Sequence, residues 1–342
     1  MQTNKPKVQL YVKRDFGQKF EATLRFIREN YRTLLKYFTY FILPVCLVQG
    51  LTLDNVFSRA FTMGANSVST HNEITGLLNN YIGLMVYYIG YALITVIGTL
   101  LLFSILFGMK QLYLERENRL QGITWADLRP FFMQNLRRML RLMLAGLVIG
   151  GVATILWVGI SILLVYISPL LIGIVVLLMI AFVLLFVPLV LWTPIYLFEP
   201  IGVFEALKKA MKLGMKRWGS ILVFVFVLNM VTSILQGITT MPWYIAAIVK
   251  MFFNISHADD GSFINSPVFS FFTYLLAIVQ TYGLYLSIAI LMVGTFYLYG
   301  DVIETAENRS VDADIDKFET LGDDHQDDPM PIPEDIKDFD KL

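Results

Sequence analysis

The sequence predicts an all-α, polytopic integral membrane protein with six transmembrane helices, and three observations predict it. Charge is missing from long stretches rather than thinned throughout. The 57 residues from Leu142 to Phe198 hold no Asp, Glu, Lys or Arg, where one bilayer crossing takes about 20 residues. Lysine and arginine gather in alternate connections between the apolar runs, and those basic segments carry apolar stripes at helical spacing. Of 342 residues, 56% are hydrophobic and 16% charged, with mean hydropathy +0.62; a soluble domain carries about 25% charged residues.

The spans follow in order. Residues 1–36 form a basic amphipathic segment, and the charge-free run 37–53, which contains Pro44, comes close to crossing the hydrocarbon layer. A second span covers 81–109. The run 142–198 is too long for one helix, and Ser168-Pro169 divides it into spans 142–167 and 170–198, because proline removes a donor and disfavours helix in the residue before it. A fifth span covers 218–240. Pro242-Trp243-Tyr244 then predicts an interfacial turn and a short surface helix ending near Phe253. The sixth span is 268–300, which closes a membrane domain of residues 37–300.

Orientation follows from the cations. Nine lysines and arginines precede the first span, seven lie between spans two and three, and five between spans four and five, against Arg59 and Lys250 alone on the other side. The positive-inside rule places both termini in the cytoplasm, as an even number of crossings requires. No cleavable signal peptide is expected, because the first 36 residues are polar and basic.

Each cytoplasmic segment repeats one pattern before an odd-numbered span. Phe16, Phe20, Leu24, Ile27, Tyr31 and Leu34 form a stripe with Arg25, Arg28, Arg32 and Lys36 away from it. Leu128, Phe132, Leu136, Met139 and Met143 do the same with Arg137, Arg138 and Arg141, in a helix expected to begin at Pro130. Phe204, Leu207, Met211, Met215 and Trp218 complete the set with Lys208, Lys209, Lys212, Lys216 and Arg217. The chain therefore reads as three repeats, each a basic amphipathic helix followed by a helix pair. The apolar stripes are expected among inner-leaflet acyl chains and the cations against anionic headgroups, at about 1 kcal/mol each. Membrane lipids are the expected partners, with Arg28, Arg32, Lys36, Arg137, Arg138, Arg141, Lys208, Lys209, Lys212, Lys216 and Arg217 as headgroup residues.

The segment around the third stripe has Glu199, Gly202, Ala206-Leu207, Lys208-Lys209, and Leu213 followed by Arg217-Trp218. This pattern resembles the cytoplasmic motif of a bacterial six-span family that includes the membrane domain of some glycerophosphodiester phosphodiesterases and many uncharacterised stand-alone relatives. Such relatives often have serine where this chain has Ala210, and another residue at Pro200. The resemblance implies a module of the bacterial cytoplasmic (inner) membrane. The soluble phosphodiesterase domain is missing from this sequence, so that activity does not carry over. Independently of the resemblance, Glu199 stands where span four ends and directly before Pro200, which suits a structural cap accepting backbone N–H groups.

Chemistry is sparse. No acid or base lies within the six spans, whose stronger polar residues include Gln49, Asn229, Gln236 and Gln280; interhelical hydrogen bonds are their ordinary use. His71-Asn72-Glu73 and His257-Ala258-Asp259-Asp260 lack a zinc-site spacing, and Cys46 is the only cysteine. No metal, cofactor or catalytic residue is expected, so the chain reads as a non-enzyme. Twenty-seven basic residues balance 27 acidic ones, which argues against a nucleic-acid partner. Residues 301–342 hold fifteen acids against four bases and are expected to be a disordered acidic cytoplasmic tail. The functional reading is a lipid-interacting or membrane-organising protein. A carrier or channel for a neutral or amphiphilic solute, and a membrane anchor for a soluble enzyme, stay open beside it.

Overall fold

The computed structural model describes residues 7–66, 74–116, 118–168, 171–255 and 266–309. Among these the chain is helical and has no strand. The helices are α1 (Phe16–Asn66), α2 (Ile74–Glu115), α3 (Trp125–Ile167), α4 (Ile172–Leu189), α5 (Trp192–Phe198), α6 (Val203–Lys216), α7 (Trp218–Ile255) and α8 (Pro267–Glu307). Six stretches are long and apolar enough to cross a membrane: Phe16–Phe57, Tyr81–Glu115, Trp125–Ile167, Ile172–Phe198, Trp218–Lys250 and Pro267–Glu307. The two histidine clusters, at 71–73 and 257–260, and the tail beyond 309 lie outside the described residues.

Several boundaries differ from the sequence reading. α1 runs unbroken past residue 36 and α3 past residue 141, so two of the three amphipathic segments continue directly into their spans. Only the third is separate, with Arg217 leaving helical geometry between α6 and α7. α3 starts at Trp125 rather than Pro130. The Asp127 carboxylate accepts both the Thr124 backbone N–H at 2.9 Å and the Thr124 hydroxyl at 2.8 Å, a cap that outweighs the proline one turn later. α7 passes through Pro242 to Ile255, with no turn there. Trp243, expected at an interface, is buried against Phe57 of α1 and Ala277 of α8.

α8 is the axis of the bundle. Every residue from Met292 to Glu304 is buried, so this part of the helix is enclosed on all sides. α1, α2 and α7 pack around it, with Phe107 and Phe198 closing on Phe296 at ring separations of 4.7 and 5.6 Å. Residues 7–15 lie outside any predicted apolar element, yet Val8 and Leu10 are buried. The Val8 N–H donates to the Tyr113 hydroxyl at 3.0 Å. A Cβ at Gly300 would overlap the Leu10 carbonyl oxygen, so glycine is needed for the segment to lie directly on α8. The α3–α4 hairpin is built differently. Between Leu144 and Leu185 none of its described residues is buried, and such an apolar exterior suits hydrocarbon rather than water.

Gly300→Ala is expected to lift residues 8–10 off α8, at about 1–3 kcal/mol for overpacking a filled site. Hydrogen exchange of the Val8 amide checks this. It should accelerate in the variant while amides in the middle of α8 keep their protection.

Candidate functional site

The three basic segments converge at one end of the bundle, where they split into cations bound internally and cations facing outward. Two buried carboxylates organise the first group. Asp301 accepts from the Lys19 ammonium at 2.8 Å and from the Arg14 backbone N–H at 2.9 Å, with Arg217 at 3.5 Å. Glu199 accepts from Lys209 at 2.8 Å, Arg309 at 2.9 Å and the Tyr299 hydroxyl at 3.0 Å. Burial opposes the charge of Arg309, but the facing Tyr299, Glu199, Tyr11 and Glu307 oxygens outweigh it, so its pKa is raised. At Arg14 burial prevails over Tyr297 and Asp301 and lowers the pKa.

Glu199 therefore does not cap α6 as the sequence suggests. Its carboxylate turns to side chains of α6, α8 and the residue after α8. Glu205 takes over the capping, accepting the Gly202 N–H at 3.2 Å. The backbone carbonyls of Glu199 and Tyr196 accept from Arg138. The motif around Glu199 thus consists largely of packing residues. Ala206, Ala210 and Gly214 are buried, and a Cβ at Gly214 would come 2.6 Å from the Pro188 Cβ of α4. The Trp218 indole donates to the Leu184 carbonyl at 3.1 Å.

Of the eleven predicted headgroup residues, Arg138, Lys209 and Arg217 are held by these internal contacts. Arg28, Arg32, Lys36, Arg137, Arg141, Lys208, Lys212 and Lys216 are exposed; Arg32 leans on its neighbour Tyr31 at 2.9 Å. The three apolar stripes also diverge. In α3, Leu128, Phe132 and Met139 belong to the protein core, packed towards α2, rather than among acyl chains. In α1, Phe16, Leu24 and Tyr31 are about half exposed.

α6 is divided most sharply. One face, Ala206, Ala210 and Gly214, is buried. A second carries Phe204 and Met215, 65% and 55% exposed. A third carries Lys208, Lys212 and Lys216, which have no hydrogen-bond or ion-pair partner among the described residues. With Lys209, Arg217 and Glu307 these lysines line a cleft of about 700 Å³ between α6 and the end of α8. Lys209 and Arg217 are paired there, and Lys208, Lys212 and Lys216 leave the cleft with an excess of positive charge.

Sequence reasoning missed Lys110, assigned to the connection after a span ending at 109. α2 instead continues to Glu115 and buries it completely. Its ammonium sits 4.4–5.0 Å from the ring centroids of Phe26, Tyr113 and Tyr297 and donates to the Tyr297 hydroxyl at 3.0 Å, a cation–π enclosure. The polar residues predicted within the spans differ in burial. Asn229 is exposed, Gln236 and Gln280 are half-buried, and Gln280 Oε1 has no hydrogen-bond partner among the described residues. Gln49 instead bridges the Thr95 hydroxyl at 2.8 Å and the Tyr285 hydroxyl at 2.9 Å. No group of three or more His, Cys, Asp or Glu suited to a metal occurs among the described residues.

Comparison with protein-family models, curated proteins and solved structures finds no match to this chain.

Glu199→Gln removes a charge that two cations and a buried phenol share. Because both cations are partly exposed, the expected cost is near the lower end for a broken buried pair, roughly 3 kcal/mol. Thermal unfolding in detergent should show a fall in Tm, and Lys209→Gln in the same background should add little.

Proposed function

We propose that the protein is a non-enzymatic integral protein of a bacterial cytoplasmic membrane that binds lipids with anionic headgroups at its basic end, both termini lying in the cytoplasm. The observation that carries this reading is the division of α6 into three faces. Its small residues dock it on the protein, so the helix position does not depend on lipid. Its exposed Phe204 and Met215 offer apolar surface for acyl chains, and Lys208, Lys212 and Lys216 stand beside them at four-residue spacing, clear of internal partners among the described residues. A docked interfacial helix gains from both terms, with about 1 kcal/mol for each lysine near an anionic surface. The positive-inside bias of the sequence supports the orientation, and the gathering of all three basic segments at one end agrees with it.

The solute-carrier reading draws less support, because the described cavities are not lined by Asn229, Gln236 or Gln280. The enzyme-anchor reading rests on the family resemblance alone.

A triple variant, Lys208→Gln with Lys212→Gln and Lys216→Gln, tests the reading without touching the Glu199 and Asp301 contacts. Lipids retained by the purified full chain in mild detergent are extracted and quantified by mass spectrometry. The expected result is a severalfold loss of phosphatidylglycerol and cardiolipin at unchanged helix content. An unchanged lipid profile would remove α6 as a headgroup site.

A further inference from the structure

A second site lies apart from α6. A cavity of about 1020 Å³ opens between the first turns of α1 and the middle of α7, at the upper end of the roughly 300–1,000 Å³ usual for small-ligand sites. Phe16, Phe20 and Leu24 form its wall on α1, and Val227 and Val231 its wall on α7. One to three turns further along α1, Tyr31, Leu34 and Phe38 join Leu286 and Ile290 of α8 around a second, apolar cavity of about 280 Å³. Leu24 and Tyr31 are each about half exposed. Phe16 and Phe38 pack on Phe224 and Tyr282, so the open apolar surface of this edge of α1 is carried by Leu24, Tyr31 and Leu35, of the kind that marks an interaction surface.

The larger cavity is also charged on one side only. Glu21, Arg25, Arg28 and Glu29 all line it, and all come from α1. Two of the four are committed elsewhere, since Glu29 accepts from Arg25 at 2.9 Å and from Arg119 at 3.2 Å. Arg28 and Glu21 remain, exposed and without a hydrogen-bond or ion-pair partner among the described residues. Seven residues apart, they lie on nearly the same helix face, separated by about 10.5 Å of rise. Arg28 is the nearer to the apolar span and Glu21 the farther. The opposite wall belongs to a run without Asp, Glu, Lys or Arg from Trp218 to Val249.

We infer that this crevice binds one zwitterionic glycerophospholipid with an amine-bearing headgroup of the phosphoethanolamine type. The phosphate lies on Arg28, where a guanidinium makes charge-assisted paired hydrogen bonds. The ammonium lies on Glu21, and the acyl chains run on from Arg28 over Tyr31 and Leu34 of α1 and past Val231 of α7. Order along the helix supports this assignment. In such a lipid the phosphate is nearer the hydrocarbon than the amine, as Arg28 is nearer the span than Glu21. A phosphoglycerol head would satisfy Arg28 but offer Glu21 only neutral hydroxyls, with no cation to meet its charge. The inference rests on the membrane reading above but not on α6, whose cleft has an excess of positive charge and selects for net negative charge.

Native mass spectrometry of the full chain, exchanged into mixed micelles of phosphatidylethanolamine and phosphatidylglycerol, tests it. The wild-type protein should retain one phosphatidylethanolamine. Arg28→Gln should lower occupancy by both lipids roughly tenfold, the loss of one charge-assisted contact. Glu21→Gln should lower phosphatidylethanolamine alone and so reverse the preference. Val231→Trp, which fills the apolar wall, should exclude both lipids while leaving the two charges in place. Phosphatidylethanolamine retention unchanged by all three substitutions overturns the inference, as does equal loss of both lipids in Glu21→Gln. The α6 triple-lysine variant separates the two readings. If it loses phosphatidylglycerol while the crevice variants change nothing, the crevice falls and the proposed function stands; the reverse pattern removes the α6 site and keeps the crevice.

Discussion

Asp301 holds the basic end of the bundle together. It lies within thirteen consecutive buried residues of α8, so its charge must be met from inside. An ammonium from α1, a backbone N–H from the segment before α1, and a guanidinium from the α6–α7 junction meet it. Each of these comes from a different stretch of chain, so one carboxylate ties all three to α8. Glu199, joined to α8 through Tyr299, does the same for α5, α6 and the residue following α8. Two carboxylates in a protein whose surface is largely apolar thus fix the first and third basic segments, while Arg138 ties the second to the Tyr196 and Glu199 backbone carbonyls.

That arrangement divides the cations by role. Those reaching Asp301 and Glu199 are structural, and their loss is a stability effect. Those left outside stand on helices whose positions are already set, so binding an anion at Lys208, Lys212 or Lys216 does not have to order the helix that carries them. α6 is the clearest instance, because the small face Ala206, Ala210 and Gly214 brings it against Pro188 closely enough that no larger residue fits at 214.

The six apolar helices were legible because missing charge is a strong signal that needs no tertiary information. The ends of the helices were less so. Pro130 and Pro242 read as punctuation, yet Asp127 caps α3 upstream of the first and Trp243 finds a packed site just after the second; both are contacts made across the fold or around a cap. Lys110 was misplaced for a related reason. A lysine after an apolar run is ordinarily the end of the span, and only the approach of Phe26 from α1 and Tyr297 from α8 makes an enclosure for it. Glu199 was read as a cap from its place before Pro200, because its actual partners, 10, 100 and 110 residues away in sequence, carry no local signature. The stripe on α3 shows the same limit, since periodicity reports an apolar face without saying whether protein or lipid covers it.

The unbroken course of α1 has a mechanical consequence. The helix is pinned near one extremity by Lys19 and near the other by Phe57 against Trp243, about 57 Å of helix contour between them at 1.5 Å per residue. With no loop between these points and a single weakened turn at Pro44, a tilt or roll imposed at the Lys19 end reaches the Phe57 end through one continuous lever.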